Sequence, residues 1–123
     1  MHVEASTLKE LFLVSLQGMN SVLYTQDHLA DTSREHYLMK LSSLDKTTLL
    51  IDFLSDILTA SYEHKMIYDR CKFITLAGNS VNADLSGFKA SGFDEDIKAV
   101  TYHEANVHQN EQGNWETVVI FDI

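Results

Sequence analysis

The last two residues of the chain bring two carboxylates together. The sequence ends in VVIFDI, so the side chain of Asp122 is followed directly by the terminal carboxylate of Ile123. It is energetically unfavourable for two neighbouring carboxylates to stay ionised unless a cation binds to both. Ligands that are all oxygen favour Ca²⁺, Mg²⁺ or Mn²⁺ over zinc. Taken alone, however, FDI is more typical of an exposed polar residue at an ordinary strand end.

Other residues whose side chains could bind a metal or react have simpler interpretations. Asp52 and Asp56 lie four residues apart on a predicted helix. They form either a solvated acidic face or a contact for a basic partner. His103 and His108 lie five apart on a predicted strand, so they face opposite sides and cannot share a metal. We predict that His103 is a hydrogen-bonded sheet histidine, with a ligand or a proton carrier as the alternative. Cys71 is the only cysteine, which excludes an internal disulfide, and we interpret it as a small core residue.

The usual catalytic motifs are absent from the sequence. It contains no phosphate-binding GxxxxGK[ST] loop, no GxGxxG, no HExxH and no GxSxG. Neither Tyr102 nor Lys98 has a nucleophile signature around it. These residues alone indicate an acidic binding domain rather than an enzyme.

Length and charge narrow the class of protein further. A chain of 123 residues is one domain, and 45% hydrophobic residues are enough for a core. The net charge of −9 disfavours direct, tight binding to nucleic acid and suits a basic protein partner or a bound cation. No stretch reaches the roughly 20 apolar residues that cross a bilayer. The start MHVEAS does not resemble a signal peptide, so a cytoplasmic protein without membrane contact is the simplest interpretation.

The pattern of elements predicts an α+β fold. Thr7 and Glu10 form a capping box at the start of a helix, and Asp45 is the predicted cap of a second helix. Alternation predicts a strand over 35–45, strands from Met66 onward, and a hairpin in which NEQGN joins 96–109 to 115–123. Gly87 and Gly92 are expected in turns. Two helices should pack on one face of one largely antiparallel or mixed sheet.

The C-terminal segment resembles the archease family, which activates RtcB-type RNA ligases. In IKAVTYHEANVHQNEQGNWETVVIFDI, the run Lys98–His103 matches the family's Lys-Ala-Val/Ile-Thr-Tyr-His, and VIFDI matches its ending. Gly113 and Trp115 match its Gly-x-Trp. Upstream, TLKELF and LLIDFLSDIL resemble its two helices, with Phe53 where the family usually has tryptophan. Residues 1–123 are therefore similar to a single archease-like domain.

This resemblance implies a function and a site. The protein would be a non-catalytic activator in tRNA splicing or RNA repair that promotes ligase guanylylation and multiple turnover, with RNA contacted only through the ligase. Asp122 and the Ile123 carboxylate would hold a divalent cation, Ca²⁺ first and Mg²⁺ or Mn²⁺ as alternatives. Asp52, Lys98 and His103 are the expected partner-binding residues.

The sequence departs from the family pattern in one place and is compatible with two rival functions. Archeases carry His-Thr-Ala-Asp in a first strand, and its aspartate is a metal ligand, whereas Met1 falls about where that strand ends. We therefore expect a natural reading frame that extends upstream, or else a chain that lacks this ligand. The rivals are a stand-alone metal-dependent hydrolase that uses Asp122, Asp52 and His103, and a chaperone-like binding module with exposed apolar surface.

Overall fold

The computed structural model describes residues 1–24 and 33–123. The polar stretch 25–34, which has no periodicity and is predicted from the sequence to be a loop, lies almost wholly outside the described residues. The described residues form two helices and eight strands in the order strand, helix, strand, helix, then further strands. Their bounds are β1 His2–Ala5, α1 Leu8–Leu23, β2 Glu35–Ser42, α2 Lys46–His64, β3 Met66–Ala77, β4 Ser80–Lys89, β5 Ala99–Thr101, β6 His108–Gln109, β7 Trp115–Val118 and β8 Ile120–Asp122.

Both helices begin at the predicted caps. The Thr7 hydroxyl accepts the Glu10 N–H at 3.1 Å, and the Asp45 carboxylate accepts the Thr48 N–H at 2.7 Å. The Glu10 carboxylate accepts a hydrogen bond from the Ser6 hydroxyl at 2.9 Å, one residue before the partner that a capping box uses. Side-chain oxygens therefore satisfy N–H groups that the first turn of each helix leaves unpaired.

Replacing Thr7 with alanine should lower the stability of the protein. Removal of the hydroxyl leaves the Glu10 N–H without its acceptor, and such a lost cap costs about 1 kcal/mol. Thermal unfolding should show Thr7→Ala melting a few degrees lower, while Thr7→Ser, which keeps the hydroxyl, should melt close to the wild type. Equal melting of both variants would show that the cap contributes nothing.

The described strands form three separate antiparallel sheets, or ladders, of two or three strands each. Their orders are β2-β4-β3, β1-β7-β6 and β5-β8, which confirms the α+β class and divides the predicted sheet into three parts. The predicted strand 96–109 is broken by a turn at His103 and Glu104, where Glu104 has φ +61°, and its two ends pair with different strands. The predicted strand 115–123 is likewise interrupted at Val119, whose side chain is fully buried and whose N–H donates to the Met1 carbonyl at 2.7 Å. The chain thus changes ladders at Val119.

The core lies between the helices and the β2-β4-β3 ladder. Helices α1 and α2 contact each other, and both contact β3. Phe53 is fully buried, with its ring centroid 5.1 Å from that of Phe12 and 5.9 Å from that of Phe73. The largest fully buried side chains are Tyr68, Phe12, Phe53, Leu11, Met19, Leu23, Leu49, Leu50, Ile51, Leu54, Ile57 and Met66.

Two irregularities in β3 correct details of the sequence prediction. Between Ile67 and Arg70 the register with β4 shifts, so two residues of β3 lie opposite Gly87, which is inside a strand and not in a turn. The Tyr68 carbonyl in this bulge accepts a hydrogen bond from the buried Asn20 amide at 2.8 Å. A second shift, between Phe73 and Thr75, turns Leu76 rather than Thr75 towards the interior.

Candidate docking and metal site

The two-stranded β5-β8 ladder holds the C-terminal residues in place. Ala99 pairs with Asp122 and Thr101 with Ile120, and the Lys98 N–H donates to the Asp122 carbonyl at 2.7 Å. The side chains of Lys98 and Asp122 are exposed, and Ile123 is 58% exposed. Within the described residues, no side chain or backbone donor reaches the Asp122 carboxylate. The end of β8 therefore presents two carboxylates to solvent from an ordered backbone.

The donor chemistry at this end fits a hard divalent cation, but the donors are too few to form a complete site. Asp122 and Ile123 offer oxygen only, which suits Ca²⁺, Mg²⁺ or Mn²⁺. Such ions take about six or more oxygens, so water, a docked protein or further chain must supply the others. In the described part of the chain, neither cysteine, histidine nor another acid joins Asp122 in a three-ligand group. The predicted site at Asp122 and Ile123 stays a prediction.

A second group of side chains lies at the opposite end of the same ladder. Asp52 of α2 accepts hydrogen bonds from the hydroxyl of Tyr102, which follows β5, and from the hydroxyl of Ser43 at 2.8 Å. The bond to Asp52, and then burial, raise the pKa of Tyr102, so its phenol stays a donor. Asp56 accepts from the Tyr37 hydroxyl at 3.0 and 3.1 Å. These acids therefore anchor α2 to neighbouring elements and do not form a purely solvated face.

His103 is not a sheet residue, and that prediction is wrong because the chain turns there. It is 78% exposed beside the Glu104 carboxylate, with 3.9 Å between the Nε2 and Oε1 atoms. Asp52 and His103 lie at the Thr101 end of β5, whereas Asp122 lies opposite Ala99, so roughly 10 Å of chain separates the two groups at about 3.3 Å per residue. The three residues of the rival hydrolase do not converge on one point.

Cys71 has the surroundings of a structural cysteine. It is half-buried on β3, and burial, followed by the nearby Asp84, raises the pKa of its thiol to about 12. At pH 8 the native thiol should react with iodoacetamide at least about 10-fold more slowly than an unperturbed cysteine, because only the thiolate attacks and its higher basicity offsets only part of the lost thiolate fraction. Mass spectrometry should show alkylation becoming fast in urea. Fast modification of the folded protein would instead identify Cys71 as a reactive thiol.

One group of potential metal ligands is not apparent from the sequence. His2 and Glu4 of β1 and Glu116 of β7 each offer a ligand atom, and these atoms lie within 4.8 Å of one another. Alternation along the chain places His2 and Glu4 on one face, but no local signal shows that β1 pairs with β7, more than a hundred residues away. The pairing of β1 with β7 brings the three side chains together.

The sequence model of the archease protein family matches residues 1–123, which is the whole chain. The chain belongs to the archease family. Two curated relatives, the archeases of Methanosarcina barkeri and Methanosarcina acetivorans, are each 28% identical to it. The alignments cover 95% and 96% of this chain and 84% of each relative. The archease resemblance of the C-terminal segment is thereby confirmed for the chain as a whole.

Solved structures show the same fold. The crystal structure of a Thermotoga maritima archease, described as a possible chaperone, superposes with a TM-score of 0.70 at 19% identity and covers 100% of this chain and 88% of that one. The solution structure of Methanobacterium thermoautotrophicum protein 1598 gives a TM-score of 0.66 at 19% identity, with 98% and 89% of the two chains covered. In the part of the archease chain that the structure describes, no helix is both long and apolar enough to span a membrane.

Proposed function

We propose that this archease activates an RtcB-type RNA ligase, promoting its guanylylation and repeated turnover in tRNA splicing or RNA repair. The observation that supports this most is the exposed, ordered end of β8 in a chain that matches the archease family from end to end. Asp122 and the Ile123 carboxylate would hold the divalent cation there. A cation held there supplies positive charge next to the docked ligase.

The residues around β5 have distinct parts in this proposal. The backbone N–H of Lys98 donates a hydrogen bond to the Asp122 carbonyl. The exposed side chain of Lys98 therefore belongs to the same end of the ladder as the two carboxylates. The exposed His103 is available to a partner at the other end. Asp52 supports His103 indirectly, because it holds the adjacent Tyr102 against α2. The ligase would therefore dock along the length of β5.

The charge of the chain supports a protein partner more than RNA. Its net charge of −9 would attract a basic, RNA-binding enzyme and would speed their encounter. The same charge repels RNA phosphates, so RNA contacts would belong to the ligase. Salt should weaken the association, because exposed charges are screened beyond about 8 Å at physiological ionic strength.

A multiple-turnover ligation assay tests the proposal. With purified ligase, GTP and Mn²⁺, addition of this archease should increase the number of RNA ends joined per ligase molecule, and the archease alone should join none. Joining by the archease alone would contradict the activator role. An archease that leaves ligase turnover unchanged at several salt concentrations would contradict it as well.

A chaperone-like role is the second candidate. Leu38, Leu44 and Ile74 are exposed apolar side chains, and the Thermotoga relative is described as a possible chaperone. Single exposed apolar residues are common on soluble proteins, whereas a chaperone surface needs a contiguous patch. Binding of an apolar fluorescent dye to the native protein, together with suppression of aggregation of an unrelated unfolded protein, would favour this role.

A further inference from the structure

We propose that His2, Glu4 and Glu116 form a binding site for a first-row divalent metal ion of the zinc type, separate from the C-terminal carboxylates. One ligand atom from each residue lies within 4.8 Å of the others, on the β1-β7-β6 ladder. Asp122 is the last residue of β8 in the β5-β8 ladder, Ile123 follows it, and neither takes part in this site. The proposal stands independently of ligase activation.

Strand register brings the three side chains together. Glu4 pairs directly with Glu116 across β1 and β7, and His2, two residues before Glu4, is on the same face. The His2 Nε2 atom lies 3.0 Å from one oxygen of the Glu116 carboxylate. Like charges directly opposite each other destabilise a pair of strands, so a cation bound between the two facing glutamates would stabilise this pairing. The imidazole and two carboxylates surround the position where that cation would lie.

Neighbouring side chains already orient the two carboxylates. The same oxygen of Glu4 accepts hydrogen bonds from the amides of Asn110 and Asn114, both at 2.9 Å. The other oxygen of Glu4 takes no hydrogen bond from the described residues. Outer hydrogen bonds of this kind are typical of metal ligands, and their loss costs 10- to 100-fold in affinity.

His108 orients Glu116 from the other side. Its Nδ1 lies 2.7 Å from the Asn106 carbonyl oxygen, which can only accept, so Nδ1 is the donor. Its Nε2 lies 3.2 Å from the Glu116 oxygen that does not contact His2, and because Nδ1 carries one proton, Nε2 donates to that oxygen only when the ring is an imidazolium. Each carboxylate thus has one oxygen contacted by the hairpin and one that the hairpin leaves open to a metal ion.

The ligand set selects the class of metal. An imidazole nitrogen with carboxylate oxygens suits zinc and its first-row neighbours, whereas Ca²⁺ and Mg²⁺ prefer oxygen alone. An open groove of about 290 Å³ borders His2, Glu116 and His108, which leaves room for water on the metal. Three protein ligands with an open position are typical of accessible zinc sites.

Zinc titration of untagged, chelator-treated protein tests this site. In competition with a chromophoric zinc indicator, the wild type should bind one equivalent, and His2→Gln and Glu116→Gln should lose it. Asn114→Ala should weaken binding by about 10- to 100-fold. The matched control is His36→Gln, because His36 is also an exposed histidine paired with a carboxylate, at 2.8 Å from Asp84, but has no third ligand beside it among the described residues. His36→Gln and Asp122→Ala should both keep the zinc equivalent.

Three results would overturn the site: no bound equivalent, equal loss in His36→Gln and His2→Gln, or loss of the same equivalent in Asp122→Ala. Because His2 is exposed and Glu116 lies at the surface, neither substitution creates a core cavity, and circular dichroism should confirm folding. Histidine side-chain NMR of the wild type gives a readout without mutation. Zinc should shift the ring signals of His2 before those of His36, and the reverse order would contradict the proposal.

Discussion

An affinity tag placed after Ile123 is expected to abolish ligase activation while leaving the fold intact. The tag converts the terminal carboxylate into a neutral amide and extends the chain from an exposed strand end. Asp122→Ala should have the same effect, because it removes the other oxygen ligand group. Deletion of Ile123 leaves a carboxylate displaced by one residue, so this variant should fail as completely. Guanylylation of the ligase in the presence of each variant is the measurement.

The control for charge is Glu111→Ala. Glu111 is an exposed acid in the β6-β7 hairpin, and its removal changes the net charge by the same amount as Asp122→Ala. Glu111→Ala should activate normally, and all variants should melt within a degree or two of the wild type, since none creates a cavity. A tagged protein that activates as well as the untagged protein would exclude the terminal carboxylate from the site.

Among the glycine-to-alanine substitutions, Gly87→Ala is expected to cause the largest loss of stability. A Cβ atom at this position would lie 2.1 Å from the Ile67 carbonyl oxygen and 2.8 Å from the Cα of Tyr68, both of which are backbone atoms of the β3 bulge. Relief of the clash requires β3 to move away from β4, which should cost about 3 kcal/mol. Chemical denaturation should show this as a lower midpoint with an unchanged slope.

Gly92→Ala is the matched control for this substitution. A Cβ atom at Gly92 meets nothing within 4 Å and the backbone there is not left-handed, so this variant should be neutral or slightly more stable. If Gly87→Ala unfolded at the same denaturant concentration as Gly92→Ala, the close approach of β3 and β4 would be wrong.

Sequence reasoning predicted the parts of this fold that depend on local signals. The caps at Thr7 and Asp45 and the alternation of β2 are encoded by neighbouring residues, and each is confirmed. The positive φ of Gly113, which the hairpin loop needs, is also confirmed at +81°. These features follow from the side chains and backbone preferences of a few consecutive residues.

Features that depend on distant pairing could not be predicted in the same way. Gly87 was expected in a turn because nothing in its neighbourhood shows that a bulge of β3 would lie against it. The run from 96 to 109 alternates like one strand, yet the turn at Glu104 divides it between two ladders. For the same reason the cluster of His2, Glu4 and Glu116 is invisible in the sequence, since it exists only once β1 pairs with β7.

We propose that this archease accelerates guanylylation of its ligase through the end of β8. The most direct measurement is the rate at which radiolabelled GTP forms the covalent ligase–GMP adduct, with Mn²⁺ present and RNA absent. We expect a faster rate when untagged wild-type archease or Glu111→Ala is added, and the basal rate when Asp122→Ala is added. An adduct that forms equally fast with and without the wild-type protein would contradict this role of the archease.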